Sequence, residues 1–237
     1  MRSPDRAVSA LGVLVFLLGC ASSGGGANLK AELSAARDRK AKLAVISLTV
    51  NDYGRQLQGT SNSNVAALVD RKMDEMLGFA EKSFTDAGWT VAPAASLVGT
   101  EAYKKASIGK LFEGVYGPHP GGVEMLSFSQ SRGDLVKTRL EPPVAQTLCA
   151  GLGVDVVVLV YSEWAVGTNS WTSLTSPLTK NVVGIYDSQG RQLFQARKDV
   201  KGDKVLGAFG RAVVDEQTMD VWVGAFENGL GQLIATM

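Results

Sequence analysis

The chain of 237 residues contains very few of the side chains that catalysis and metal binding use most: one histidine and two cysteines. A Ser-His-Asp or Cys-His site would have to use His119, but this residue lies between Pro118 and Pro120 with no nucleophile motif beside it. A zinc site built from histidine and cysteine needs three or four ligands, and at most His119 and Cys149 could contribute. We therefore expect no bound metal and no cofactor.

An excess of charge of one sign is also missing. The chain has 24 Lys and Arg against 23 Asp and Glu, whereas nucleic-acid binding requires a basic surface. Nucleic acid is therefore not an expected partner. Apolar residues make up 45 % of the chain and charged residues 20 %, which is typical of a folded globular protein.

Two further absences concern the folded part of the chain. Cys149 is its single thiol, so an internal disulfide is excluded and an apolar core must hold the domain. Because Cys149 lies in the apolar run 144–152, the pattern favours a buried core residue over a nucleophile. Residues 51–56, after the first predicted strand, lack the glycine spacing of a phosphate-binding loop.

The N-terminus has the pattern of an export signal. Arg2 and Arg6 precede an uncharged apolar segment, residues 7–18. About a dozen such residues suit a signal peptide and are too few for a permanent transmembrane helix, which needs about 20. We therefore predict that residues 1–19 form a signal peptide.

The signal ends in Leu17-Leu18-Gly19-Cys20, which resembles the lipobox of bacterial lipoproteins. The resemblance implies cleavage before Cys20 and attachment of acyl chains, palmitate among them, to this residue. Ala21 in place of an aspartate implies the periplasmic face of the outer membrane as the destination. The alternative is an ordinary exported protein that is cleaved elsewhere. Residues 21–26 have the serine and glycine composition of a flexible tether.

The patterns from residue 43 onward predict a βαβ unit. Leu43–Val50 is a nearly continuous apolar run, typical of a buried strand. After N-cap candidates at 61–64, apolar residues recur at helical spacing: Val65, Leu68, Val69, Met73, Met76, Leu77, Ala80 and Phe84. Gly88 is placed to end this helix, and Trp89–Ala92 is a short strand. This order favours a parallel strand pair.

Four further helices are predicted around this unit. Asn28–Lys42 has a sparse apolar pattern, typical of a loose surface helix, and Ala94–Ala106 is a helix interrupted at Gly99. A third helix spans 142–152. The last helix of the chain places apolar residues on one face: Met219, Trp222, Val223, Phe226, Leu230, Leu233 and Ile234.

The second half of the chain contains three predicted strands. Asp155–Ala165 has the strongest strand signal. Leu178–Tyr186 and Gln192–Val200 form a predicted hairpin with Gly190 in its turn. Residues 20–42 are then a lipidated cysteine, tether and surface helix, and residues 43–237 a single α/β domain. Its mixed sheet has an N-terminal βαβ unit, a C-terminal β-hairpin and flanking helices in the order β-α-β-α-α-β-β-β-α.

Four carboxylates fall at or near predicted strand ends, where sites in α/β proteins often gather: Asp52, Asp155, Glu163 and Asp187. No pair has a spacing that forces the two groups together. Asp155 is typical of a turn or capping residue, and Glu163 alternates with its neighbours so that it is expected to face solvent. A hydrolase using carboxylates near Asp52 and Asp155 is therefore kept as an alternative only.

Candidate contact residues lie in irregular segments. Residues 107–141 form the least regular stretch, rich in glycine and proline, and contain Tyr116 and His119. Trp171 lies in a polar segment without a packing pattern, whereas Trp222 has the spacing of a core residue. We predict Trp171, Tyr116 and His119 as partner contacts.

The order of elements from Leu43 to Met237 resembles a group of periplasmic α/β lipoproteins that includes the curli-secretion channel lipoprotein and a lipoprotein activator of penicillin-binding proteins. The resemblance depends on Leu43–Ile46, on Leu148–Tyr161 and on Val182–Ala196. The channel relative has long inserted hairpins, with about 9–11 residues in each spanning strand. Here Val166–Pro177 and Lys201–Val214 are expected to be short gaps between elements. The activator has a long tether, which this chain lacks.

The expected function is therefore a lipid-anchored envelope protein that binds or assembles and catalyses no reaction. Its partners are the membrane, through the acyl chains on Cys20, and an envelope protein. A ring-forming secretion component, and hence a homo-oligomer, is a second possibility.

We expect that Cys20→Ser abolishes lipid attachment, because the sulfur that carries the first acyl group is removed. Mass spectrometry of the purified protein and partition between detergent and water measure the change. A variant that still carries the acyl mass and stays anchored would contradict the prediction.

Overall fold

The computed structural model describes residues 25–52, 65–109, 111, 114–129 and 131–237, so the predicted signal peptide, Cys20 and the N-cap candidates 61–64 lie outside it. The helices are α1 (Gly25–Asp38), α2 (Val65–Asp86), α3 (Glu101–Ala106), α4 (Arg132–Val136), α5 (Pro142–Leu152) and α6 (Glu216–Ile234). The strands are β1 (Lys42–Asp52), β2 (Thr90–Ala92), β3 (Val115–Tyr116), β4 (Val156–Thr168), β5 (Leu174–Asp187), β6 (Gln192–Lys201) and β7 (Gly207–Ala208).

The described strands form one mixed sheet in the order β2-β1-β4-β5-β6. Strand β1 pairs in parallel with β2 and β4, and β5 is antiparallel to both β4 and β6. The two-residue strands β3 and β7 are added to β1 and β5. The α/β fold and the mixed sheet predicted from the sequence are confirmed.

Strand β1, helix α2 and strand β2 form the predicted βαβ unit. Ten of the eleven residues of β1 are buried, and the eight apolar residues predicted for the helix are the buried residues of α2. The helix ends where Trp89 N–H donates to Phe84 O (3.1 Å) and Gly88 N–H to Thr85 O (2.9 Å). Gly88 adopts φ +99° there, which glycine accepts at low cost.

The predicted helix over 94–106 is divided into two pieces. A 3-10 turn covers Ala94–Ser96, and α3 starts only after Thr100, whose side chain accepts from Tyr103 N–H (3.3 Å). The Tyr103 hydroxyl donates to Ile46 O of β1 (2.9 Å), which holds α3 against the sheet. The described residues of the irregular stretch 107–141 form β3, α4, a 3-10 turn at Pro120–Gly122 and an isolated bridge between Gly109 and Ser127.

The two faces of the sheet are covered by different helices. On one face, Trp164 of β4 stacks with Trp222 of α6, with ring centroids 6.4 Å apart. Both side chains are fully buried, which confirms the core role predicted for Trp222. Because side chains alternate along a strand, Glu163 lies on the opposite face, toward α4.

A chain of buried polar side chains lies beneath α6. Trp164 Nε1 donates to Ser162 Oγ (2.9 Å), which donates to Asn181 Oδ1 (2.7 Å). Asn181 Nδ2 donates in turn to Thr179 Oγ1 (3.0 Å). Each polar group is thereby satisfied in the core, as burial requires. Gly229 of α6 leaves the space that the Asn181 amide fills.

Helix α1 belongs to the packed domain. It starts at Gly25, inside the predicted tether, and buries Leu33 and Ala36 in the core. Arg37 Nη1 donates to the C-terminal Met237 O (3.2 Å), and Glu32 pairs with Arg191. The predicted surface helix is therefore not loose. Its single apolar stripe meets the side of β6 and the end of α6, while its other described side chains are exposed or half-buried.

Two glycines of α6 predict opposite effects of an added methyl group. Gly229→Ala is expected to lower the free energy of unfolding by about 1–3 kcal/mol, because the new Cβ overlaps the buried Asn181 amide. Gly231→Ala, where a Cβ meets nothing within 4 Å, is expected to raise it by about 0.5–1 kcal/mol through helix propensity. Urea unfolding followed by circular dichroism measures both. Equal effects would contradict this account of the α6 contact.

Candidate functional site

The hairpin of β4 and β5 extends beyond the ends of β1 and β6, and only the two-residue strand β7 pairs with its end among the described residues. Strand β1 ends at Asp52, which pairs with Trp164, whereas β4 continues for four residues to Thr168 and pairs there with Thr175. The extension is about 13 Å long. The expected gap at 166–177 is therefore wrong, since most of it is paired strand.

The end of this hairpin carries the most exposed aromatic side chains among the described residues. Trp171 is 95 % exposed and Phe209 82 %. Leu174, Val205 and Val213 are also exposed and lie on the same two segments. We call residues 169–175 and 205–213 the aromatic tip.

Hydrogen bonds hold the backbone of the aromatic tip in place. Asn169 Oδ1 accepts from the N–H groups of Trp171 (2.9 Å) and Thr172 (3.2 Å), which forms the turn. Phe209 N–H donates to Ser173 O (2.7 Å), beside the pairing of Leu174 with Ala208. Both Ser173 and Phe209 adopt positive φ, near +55°. The two aromatic rings are thus displayed by a bonded backbone, and they are almost fully exposed in the part of the chain that the structure describes.

A second exposed apolar surface lies in the irregular stretch that was predicted to make contacts. A groove of about 330 Å³ runs between the end of α3, α4 and the start of α5. Its apolar lining is Ala106, Ile108, Phe128, Leu140 and Val144, and its polar lining is Ser129, Asp134, Arg139 and Glu141. Ile108 is 47 % exposed. We call this surface the loop groove.

The three predicted contact residues are not brought together. Tyr116 pairs with Val50, which on its other side pairs with Ser162. Ser162 lies six residues before Thr168 in β4, so Tyr116 is about 20 Å from the aromatic tip along the sheet. His119 lies against α2, where its N–H donates to Asp74 Oδ1 (2.6 Å) and its Nδ1 is 3.7 Å from Asp70 Oδ1.

Glu163 is buried, although its position in the strand predicted a solvent-facing residue. Its side chain is 2 % exposed and pairs with Arg132 of α4 and with Lys180 of β5 (2.8 Å). The Tyr161 hydroxyl donates to the same carboxylate (3.3 Å) and accepts from Asn51 Nδ2 (3.1 Å). Burial raises the pKa of Glu163, but the hydrogen bonds from Lys180 and Arg132 outweigh burial and bring the pKa below its ordinary value.

The other strand-end carboxylates have separate structural roles. Asp155 Oδ2 accepts from Lys42 N–H (2.7 Å) at the start of β1, and Asp52 is buried at the end of the same strand. Ten residues of β1 place them about 33 Å apart, so they cannot act as a catalytic pair. Asp187 accepts from the N–H groups of Gln189 and Arg191 (both 2.9 Å) and shapes the β5–β6 turn.

Cys149 has the core position that its sequence predicted. Its side chain is buried, and Sγ lies 3.8 Å from Asp155 O. Burial, together with the negative charges of Asp187 and Asp155, raises the pKa of the thiol to about 12. Within the described ranges, no three His, Cys, Asp or Glu side chains form a metal-binding group. The helices described in these ranges also lack one that is long and apolar enough to span a bilayer.

Comparisons with known proteins give a limited result. No protein-family model and no curated protein sequence matches the chain. Among solved structures, lipoprotein GNA1162 from Neisseria meningitidis is 16 % identical with a TM-score of 0.33, over 79 % of this chain and 94 % of that one. The LpoB C-terminal domain from Salmonella enterica is 14 % identical with a TM-score of 0.31, over 74 % and 94 %.

A third solved structure, the hypothetical protein CT253 from Chlamydia trachomatis, is 10 % identical with a TM-score of 0.33, over 81 % of this chain and 98 % of that one. The structural neighbours thus include a bacterial lipoprotein. At such TM-scores these similarities carry no weight for function, which has to be argued from the residues of this chain.

The sequence predicted Trp171 but missed its neighbour in space, Phe209. Both are single aromatic residues in segments without helical or strand periodicity, and Phe209 is followed by Gly210. That shared signal would have found Phe209. The loop groove could not be found in this way, because Ile108 and Leu140 are far apart in sequence and their neighbourhood depends on how the loop folds back.

The buried Glu163 predicts a pH-dependent stability. Because its pKa is lower in the folded chain than its ordinary value of 4.5, its contribution is complete above pH 4.5 and is lost as the pH falls through the folded pKa. Glu163→Gln is expected to cost about 2 kcal/mol of unfolding free energy at pH 7, and the difference from wild type should shrink in acid. Urea unfolding at several pH values measures this. Glu101→Gln, at an exposed position, is the matched control, and a pH-independent difference would contradict the assignment.

Proposed function

We propose that this chain is a lipid-anchored protein of the cell envelope that binds another envelope protein and catalyses no reaction. In this proposal, acyl chains on Cys20 hold the domain at the periplasmic face of the outer membrane. The support for the anchor is the pattern Leu17-Leu18-Gly19-Cys20 after an apolar segment too short to span a bilayer. The support for binding is the loop groove.

The loop groove has the composition of a protein-binding site. Its floor is apolar, with Phe128 and Leu140 almost completely buried, while Ile108 stands at its mouth. Charged side chains of both signs, Asp134 and Arg139, form part of its border. An apolar centre with a polar border is the usual arrangement of specific protein interfaces.

Backbone hydrogen bonds within the irregular stretch hold the residues of the loop groove in place. Ile108 N–H donates to Ser127 O (3.0 Å) and Ser127 N–H to Gly109 O (3.1 Å). Met125 N–H donates to Pro118 O (2.9 Å), next to His119. Tyr116 and His119 belong to the same irregular stretch, although they do not line the groove, and we retain them in the proposal as secondary contacts of the partner.

The test uses a photo-crosslinking amino acid in place of Ile108 in the full chain, in intact cells. We expect an adduct of defined mass, because this side chain faces the proposed partner. The same amino acid at Gln217, exposed on α6 at the opposite face of the sheet, is the matched control and should give no such adduct.

A second variant measures the strength of the contact. Ile108→Asp is expected to reduce recovery of the crosslinked partner from a reporter at Tyr116 by about tenfold, since it places a charge at the centre of an apolar interface. The side chain is half exposed, so unfolding in urea should be nearly unchanged. Undiminished recovery would contradict the proposed binding surface.

A further inference from the structure

The aromatic tip differs from the loop groove in shape. It is the end of a hairpin, about 13 Å beyond β1. It therefore projects from the surface, whereas the loop groove is a depression. Trp171 and Phe209 are the two most exposed large apolar side chains among the described residues. Protruding aromatic residues of this kind mark surfaces that contact proteins or membranes.

The charges around the tip distinguish between these two occupants. Residues 165–179 contain no charged side chain, and residues 205–213 contain only Arg211. The adjoining edge is basic: residues 197–211 hold two acidic residues against five basic ones, namely Arg197, Lys198, Lys201, Lys204 and Arg211. All five are exposed, although the whole chain has a net charge of only +1. Uncharged aromatic groups beside basic ones suit an interface with anionic lipid phosphates.

The start of helix α1 lies nearer the tip end of β6 than its end does. Near its end, Arg39 lines a groove with Asp155 at the base of the sheet. Nearer its start, Leu29 lines a groove with Gln192–Gln195 of β6, farther from the base. The described chain therefore begins, at Gly25, on the β6 side of the domain.

The reach of the chain before Gly25 sets the orientation of the domain. From the level of Phe194 to that of Leu174, β5 rises through eleven residues, about 36 Å. Helix α1 covers about 6 Å of this distance between Leu29 and Gly25, and five residues more to Cys20 reach at most about 18 Å. Cys20 and the tip can thus touch one bilayer only if the domain leans on its β6 edge, which is the basic edge.

We propose that the aromatic tip inserts into the interfacial layer of the bilayer that carries the acyl anchor. Trp171 and Phe209 enter the layer between headgroups and acyl chains, and the basic β6 edge lies against anionic lipid phosphates. The inference rests on the proposed lipid anchoring. It adds a second membrane contact, which fixes the orientation of the domain and keeps the loop groove available to a protein.

The tryptophan distribution makes the proposal directly measurable. Trp89, Trp164 and Trp222 are at most 3 % exposed, so Trp171 is the single tryptophan in contact with solvent. The full protein is reconstituted into vesicles of phosphatidylethanolamine and phosphatidylglycerol with brominated acyl chains. The emission of Trp171 is obtained by difference from Trp171→Phe. We expect this component to shift to shorter wavelength and lose roughly half of its intensity to the bromolipid.

Two variants control the measurement. Ile108→Trp in the Trp171→Phe background places the reporter in the loop groove, where we expect no quenching by bromolipid. Phe209→Ser is expected to lower the quenched fraction of Trp171 several-fold, because one of two inserted apolar groups is removed. Both tip residues are exposed, so unfolding in urea should be unchanged.

The outcomes separate this inference from the proposed function. Mass spectrometry reports acylation of Cys20 independently of the fluorescence. If the protein is acylated but Trp171 stays unquenched, the tip insertion is overturned and the proposed anchor is retained. If Trp171 is quenched but Cys20 carries no acyl chains, the proposed anchor is overturned. Association of the tips with a second copy, or with a protein, would leave Trp171 shielded from acrylamide but insensitive to bromolipid, and would also overturn the inference.

Discussion

The alternation of side chains along β4 is the constraint on which the rest of the domain depends. This strand pairs with β1 on one side and with β5 on the other. Its residue 164 stacks with Trp222 beneath α6, and its residue 163 receives Arg132 from α4. A shift of one residue in register would place the carboxylate of Glu163 beneath α6 and the indole of Trp164 beside α4, so that each side chain would lie in the wrong environment. The same strand then continues past β1 and supports the aromatic tip.

A few polar side chains are buried and a few large apolar ones are exposed in this molecule, and the two groups differ in whether they have partners. The buried Ser162, Asn181 and Glu163 are all satisfied by hydrogen bonds or ion pairs, so they stabilise the fold and offer nothing to a substrate. Trp171 and Phe209, in contrast, are exposed on a bonded backbone. These exposed aromatic side chains are the observation from which a membrane contact is proposed.

In the proposal, one region of the domain contacts the membrane and another binds the partner protein. In the proposed arrangement, the aromatic tip and the basic β6 edge face the bilayer that carries the acyl anchor. The loop groove lies on the face covered by α4 and α5, away from α6, where a protein can reach it. In this arrangement the orientation of the domain on the membrane decides which way the groove points.

The sequence by itself determined the elements whose signals are local. Eight apolar residues at helical spacing predicted α2, and the strand β4 was found from its valine-rich run. The pattern at residues 17–20 predicts acylation of Cys20, which lies outside the described residues. Only the tertiary structure decided that Glu163 is buried, because its partners Arg132 and Lys180 are 31 and 17 residues away. It also decided that α1 packs and that the segments carrying Trp171 and Phe209 lie side by side. Such features depend on which distant segments come into contact, and periodicity along a chain carries no information about that.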